Sequence, residues 1–129
     1  RVLLNKLSYR VHDVRRGDVV VFDRVQGTQH DDLIKRVIAL PGETIRIEQC
    51  TVYVDDQQLD EPYLADDVRA GRCGQTSMAP LTVPDDQVFV MGDNRPESSD
   101  SRAFGPIDVD KIRGRAFVVL WPPGDWRWL

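Results

Sequence analysis

The stretch Leu33-Ile34-Lys35-Arg36-Val37-Ile38-Ala39-Leu40-Pro41-Gly42 decides the reading of this chain. It is an aliphatic run interrupted by two cations and stopped by a Pro-Gly pair. Strict alternation puts Leu33, Lys35, Val37 and Ala39 on one face of a strand, and Ile34, Arg36, Ile38 and Leu40 on the other. Pro41-Gly42 then suits a type II turn, where proline pre-sets one central residue and glycine takes positive φ at the next. Lys35 admits two readings. Either its amine snorkels to water over an apolar stem, or it is lodged among aliphatic neighbours, where desolvation lowers its pKa. Moving a lysine from ~10.4 to about 7 takes roughly 4–5 kcal/mol of differential destabilisation of the ammonium. Such an amine can act as a general base near neutral pH.

Outward from this strand, the chain reads as further strands separated by turn residues. Arg16-Gly17-Asp18 leads into Val19 to Phe22, a compact apolar strand, and the polar stretch Gln26 to Asp32, with Gly27, reads as a loop. Thr44 to Ile47 alternates. Val52-Tyr53-Val54, Asp55-Asp56 and Gln57-Gln58-Leu59 together read as a hairpin. Tyr63 to Val83 is irregular, an excursion rather than core. Gln87 to Met91 is a strand that feeds a polar loop opened by Gly92, and Arg113 to Trp121 is the last strand, ended by Pro122-Pro123. With no sustained helical periodicity and no internal repeat, the pattern predicts an all-β domain with a partly barrel-like core.

A chain of 129 residues has the size of one domain. Its net charge of −4 and the lack of a basic stripe argue against nucleic acid as a partner. Acidic residues gather at Asp55, Asp56, Asp60, Glu61, Asp66 and Asp67, which reads as a solvated surface. The longest apolar run, Ala116 to Trp121, is far short of the about 20 residues a membrane-spanning helix needs. Trp121, Trp126 and Trp128, with Arg127, either touch a bilayer interface or pack on the domain's own sheet edge. His12 and His30 lack zinc-like spacing and read as surface loop residues, so neither a metal, a cofactor nor a Ser-His-Asp triad is expected.

The loop Gly92-Asp93-Asn94-Arg95-Pro96-Glu97-Ser98-Ser99-Asp100-Ser101-Arg102 supplies a hydroxyl and an ion-pair candidate for Lys35. Taken alone it is also compatible with a plain turn and a capping serine. Together with Asn5-Lys6-Leu7-Ser8-Tyr9-Arg10, Arg16 to Phe22, Asp32 to Glu43 and the end at Phe117 to Pro122, it gives the chain a specific likeness. In the order and spacing of these boxes, almost the whole chain resembles the extracytoplasmic catalytic region of bacterial type I signal peptidases. The Trp-Pro-Pro end and the cysteine-flanked insertion look similar to actinobacterial members.

That resemblance implies coiled antiparallel sheets, a fold shared with the self-cleaving repressors, and a serine–lysine endopeptidase. The enzyme class removes signal peptides from exported preproteins after small residues, in the A-x-A pattern. Lys35 takes the role of general base, Ser98 orients its amine, and Asp100 and Arg102 pair to fix the loop. Substrate adds as a strand along Asp32, Leu33 and Ile34, with Val21 near the pocket for the third residue before the cut. For Val21 a plain core role is equally open. Cys50 and Cys73 are expected to form a disulfide, because the family works outside the cytoplasm, at the outer face of the cytoplasmic membrane.

In one place the chain departs from the family. The nucleophile box and the membrane anchor belong upstream of Arg1. Residues 1–129 are therefore read as a catalytic domain truncated at its N-terminus, with an insertion at about 50–83, inactive without its serine. Ser77-Met78-Ala79-Pro80-Leu81 looks superficially like the missing box but follows Lys35 in the chain and lies in a loop-like stretch, so Ser77 is set aside. A self-cleaving repressor or mutagenesis-type protease, and a non-catalytic peptide-binding module, are the alternative readings.

Overall fold

A computed structural model describes residues 2–5, 14–26, 29–69 and 71–118. Its strands are β1 (Val2–Asn5), β2 (Val19–Gln26), β3 (Gln29–Ala39), β4 (Thr44–Glu48), β5 (Thr51–Val54), β6 (Gln57–Gln58), β7 (Met78–Thr82), β8 (Gln87–Met91), β9 (Ile107–Asp108) and β10 (Ile112–Val118). Two one-turn helices, α1 (Asp66–Arg69) and α2 (Ser101–Phe104), interrupt them. The strands form two antiparallel sheets, one of six in the order β1-β10-β2-β3-β8-β9 and one of four in the order β6-β5-β4-β7. One is strongly curled into a half-barrel, and the expected all-β class holds.

The core is divided into two apolar clusters. Val20, Phe22, Val37, Val88, Val90 and Ile112 belong to the first, and Ile38, Ala39, Ile45, Ile47, Phe89 and Met91 to the second. β8 feeds both, because alternation sends Val88 and Val90 one way and Phe89 and Met91 the other. β3 does the same by a different device. Val37 lies opposite Val90 while Ala39 lies opposite Phe89, so β3 carries one residue more than its partner there. This bulge corrects the strict alternation expected from the sequence. Ala39 joins the second cluster and Leu40 packs on the first, the reverse of the unbulged assignment.

Three further expectations change. Gln26 and Gln29 to Asp32 are strand and not loop, since β2 and β3 stay paired from Asp23↔Asp32 to Gln26↔Gln29. Ladder bonds come from the backbone, so a polar arm can extend an apolar strand pair without apolar side chains. His30 accordingly lies on β3 rather than in a loop, while His12 and the three tryptophans lie outside the described residues. The excursion is also less peripheral than its composition indicates. β7 pairs with β4, and Val68, Cys73 and Val83 are buried. Glu61 is no surface acid either: its side chain is 7% exposed, whereas the other five of that cluster are exposed.

The turns follow their residues. Gly42 has φ +82°, and Glu43 N–H donates to Leu40 O at 3.1 Å, as the Pro41-Gly42 pair predicts. The Glu43 carboxylate locks this turn, accepting from Leu40 N–H at 2.6 Å and from both terminal nitrogens of Arg16 at 2.6 and 2.7 Å. Asp55 and Asp56 both take positive φ in the β5–β6 hairpin. A disulfide joins Cys50, in the β4–β5 turn, to Cys73 in the excursion.

Candidate active site

Lys35 sits on β3 opposite Val20, on the face that carries Phe22, Leu33 and Val37 of the first cluster. It is 6% exposed, so the buried reading holds and the snorkelling one does not. Its Nζ donates to Ser98 Oγ at 2.8 Å. Burial pushes the amine below its ordinary value of 10.5; Asp100 and Asp93 oppose that fall, while Arg102 adds to it.

Ser98 is brought there by a loop with no regular structure, held from within. Asp100 is 1% exposed and caps α2. Its Oδ1 accepts from Arg102 N at 3.1 Å and Arg102 Nε at 2.9 Å, and its Oδ2 from Gly92 N at 3.0 Å and Arg102 Nη2 at 2.9 Å. A buried carboxylate with four charge-assisted or backbone donors is fully satisfied. Arg102 uses its remaining reach on carbonyls, donating to Cys73 O at 2.8 Å and Arg95 O at 2.9 Å. The expected Asp100–Arg102 pair is thus the centre of a wider network.

Gly92 completes the site by what it lacks. A Cβ there would fall 2.0 Å from Ser98 Oγ and 3.3 Å from Lys35 Nζ, so only glycine lets the two side chains meet over this backbone. Next to it, Asp93 takes a bidentate contact from Arg36, at 2.9 and 2.8 Å, and the Arg36 guanidinium lies 4.1 Å over the Tyr63 ring.

The open edge lies beside this loop. β3 pairs with β8 only from Arg36 onward, and among the described residues its stretch from Gln29 to Lys35 pairs with β2 alone. Val21 and Ile34 are cross-strand partners on the face opposite Lys35, and Val21 is buried yet belongs to neither apolar cluster. Asp32 is exposed and ion-paired with Arg113 at 3.3 Å. Two concavities flank the excursion, and neither is lined by Lys35. Ser77 is exposed just before β7, in the sheet that does not carry Lys35. Among the described residues no cluster of His, Cys, Asp and Glu side chains is placed to hold a metal ion.

Comparison with known proteins fits this geometry. A family model described as signal peptidase, peptidase S26, matches residues 1–121. The chain belongs to the signal peptidase family S26. A protein of Synechocystis named "Probable signal peptidase I-2" is 42% identical over 126 residues, which is 95% of this chain and 55% of that protein. Signal peptidase I of Bacillus caldolyticus is 37% identical, covering 94% of this chain and 69% of the relative. The crystal structure of a signal peptidase I from Enterococcus faecalis V583 superposes with a TM-score of 0.64 at 32% identity, over 79% of this chain and 95% of that one. The chain thus spans little more than half the length of the Synechocystis relative it matches.

Several residues around Lys35 and Ser98 are invisible to a strand-by-strand reading. Gly92, Arg36, Asp93, Arg95, Glu61 and Tyr63 build the surroundings of Ser98, and Ser101 Oγ accepts from the buried Val90 N–H at 2.9 Å. Glu61-Pro62-Tyr63 carried one signal, a tyrosine and an acid joined by a rigid proline inside an otherwise polar run.

Proposed function

We propose that this chain provides the general base and the substrate edge of a serine endopeptidase that removes signal peptides from exported preproteins. The observation that carries the reading is the buried Lys35 amine, 2.8 Å from Ser98 Oγ, at the end of a strand edge unpaired among the described residues. In this reading the nucleophile is a serine hydroxyl within reach of the Lys35 amine, a role assigned neither to Ser77 nor to Ser98.

In the reaction, neutral Lys35 takes the proton of that serine hydroxyl as its oxygen attacks the scissile carbonyl. The lysine then gives the proton to the departing amine, leaving an acyl-enzyme. A water passes a proton to Lys35 as it attacks the ester, and Lys35 returns that proton to the departing serine oxygen. Ser98 holds the amine with its lone pair toward the nucleophile, and Asp100 and Arg102 hold Ser98 in position. The substrate adds as a strand along Asp32, Leu33 and Ile34, and Val21 with Ile34 lines a shallow apolar pocket that admits only small residues. The Cys50–Cys73 disulfide fits an extracytoplasmic setting. No helix among the described residues is long and apolar enough to cross a membrane.

The test is cleavage of a preprotein peptide with alanine at the first and third positions before the bond, by the full-length protein. Lys35→Ala should reduce kcat/KM by about a thousandfold or more. Cleavage that survives the substitution overturns the assignment.

A further inference from the structure

The loop that holds Ser98 is braced from outside by residues that no step of the reaction uses. Gly92 is the residue whose bare Cα forms the wall of the Lys35–Ser98 contact. Its two peptide planes are held separately. Its N–H donates to Asp100, and its carbonyl accepts from Arg95 Nε at 2.7 Å. Arg95 is 2% exposed, and its other two nitrogens both end on the Glu61 carboxylate, Nη1 at 3.3 Å and Nη2 in a short contact with Oε2. The same Oε2 accepts from Tyr63 O–H at 2.7 Å. Burial and the Glu61 charge hold the Tyr63 phenol protonated, well above its ordinary range, so it remains a donor.

Glu61 and Tyr63 therefore reach the loop at two consecutive residues. Glu61 acts on Gly92 through Arg95, and Tyr63 packs under the Arg36 guanidinium that clamps Asp93. Pro62 between them restricts Glu61 to extended backbone and limits the freedom of both anchors. A buried guanidinium stripped of its counter-charge turns toward water. Arg95 doing so would release the Gly92 carbonyl and, with it, the spacing of Lys35 and Ser98.

We infer that Glu61 is a positioning residue for the general base, acting through Arg95 on the Gly92 backbone and so on the Lys35–Ser98 contact. Its catalytic consequence rests on the serine–lysine reading above, while its effect on the Lys35 amine does not. The charges bearing on that amine are those of Asp100, Arg102 and Asp93, so a change caused at Glu61 reports movement of the loop.

The experiment uses the full-length protein with Glu61→Gln and, separately, Tyr63→Phe, which removes one hydroxyl and keeps the ring. The pKa of Lys35 is followed by carbon NMR of labelled lysine, its signal identified by loss in Lys35→Ala. Alongside it, kcat, KM and Tm are measured with the alanine-bearing peptide. Glu61→Gln should raise the Lys35 pKa toward its ordinary value as water reaches the amine, and lower kcat about tenfold with KM changed by less than about twofold. Added to Ser98→Ala, it should cost no further kcat, since both act on one contact. Tyr63→Phe should shift both quantities in the same direction, with kcat lower by about threefold, and it carries the test if Glu61→Gln does not fold. An unchanged Lys35 pKa and kcat beside a lower Tm would make the brace merely structural and overturn the inference, as would losses that multiply with Ser98→Ala. A wild-type protein that cleaves nothing but whose Lys35 pKa responds to Glu61 sinks the peptidase reading and leaves the positioning role standing.

Discussion

A buried amine is a standing cost to the fold whenever it carries charge, and Lys35 shows how that cost arises. Its neighbours Val20 and Val37 are fully buried, and among the described residues its nitrogen bonds a neutral hydroxyl, Ser98 Oγ, and no carboxylate. The sign of the resulting pH dependence follows. Lys35 is depressed when folded, so between the folded and unfolded pKa values the unfolded chain binds more protons, and stability rises with pH through that window. Below the folded value the penalty is present in full; above 10.5 it is gone. Replacing Lys35 by methionine should therefore abolish catalysis yet stabilise the protein at neutral pH, on the order of 1 kcal/mol. Melting of Lys35→Met and wild type at pH 7 and pH 10 checks this. A gain that grows with pH contradicts the direction assigned to the amine.

Among the elements, the excursion between β5 and β8 changes most in significance. It carries a helical turn, a strand of the second sheet, Glu61 and Tyr63, and Cys73, whose carbonyl accepts from Arg102. The disulfide fastens Cys73 to the β4–β5 turn, where Gln49 and Cys50 both hold positive φ without a glycine. Two such residues cost free energy that the covalent tie helps offset. Replacing Cys50 by serine and Cys73 by alanine should remove about 3 kcal/mol of stability and about 10 °C of Tm, from a closed loop whose ends are 23 residues apart. Circular dichroism melting of the double variant measures it, and a fall under about 2 °C would show that the excursion is held without the bond.

At the scale of the whole molecule, two apolar clusters share β3 and β8, and the site lies where those strands part company. β8 ends at Met91 and the chain turns at Gly92, so β3 loses its partner just before Lys35. An edge with no second partner among the described residues, beside a buried amine, is suited to accept an extended peptide by backbone hydrogen bonds. A non-hydrolysable peptide with alanine at the first and third positions should slow amide exchange within residues 33–35 by about tenfold or more. Its backbone N-methylated analogue should not. Equal exchange with and without the peptide would place the substrate elsewhere.

Local chemistry was enough for the sequence to determine the strand class, the Pro41-Gly42 stop, the Asp55-Asp56 hairpin and the conflict of a lysine within an aliphatic strand. Each of these depends on φ preferences or alternation within a few residues. The box order added the Lys35–Ser98 and Asp100–Arg102 pairings by likeness. Only the tertiary structure decided that Ala39 and Leu40 exchange faces, because a bulge depends on the partner strand and leaves no mark in one strand's own pattern. It alone separated Glu61 from five exposed acids of the same type, since a carboxylate's burial is set by a guanidinium 34 residues away. The same is true of Gly92, whose missing side chain matters only once Lys35 and Ser98 have been folded onto it.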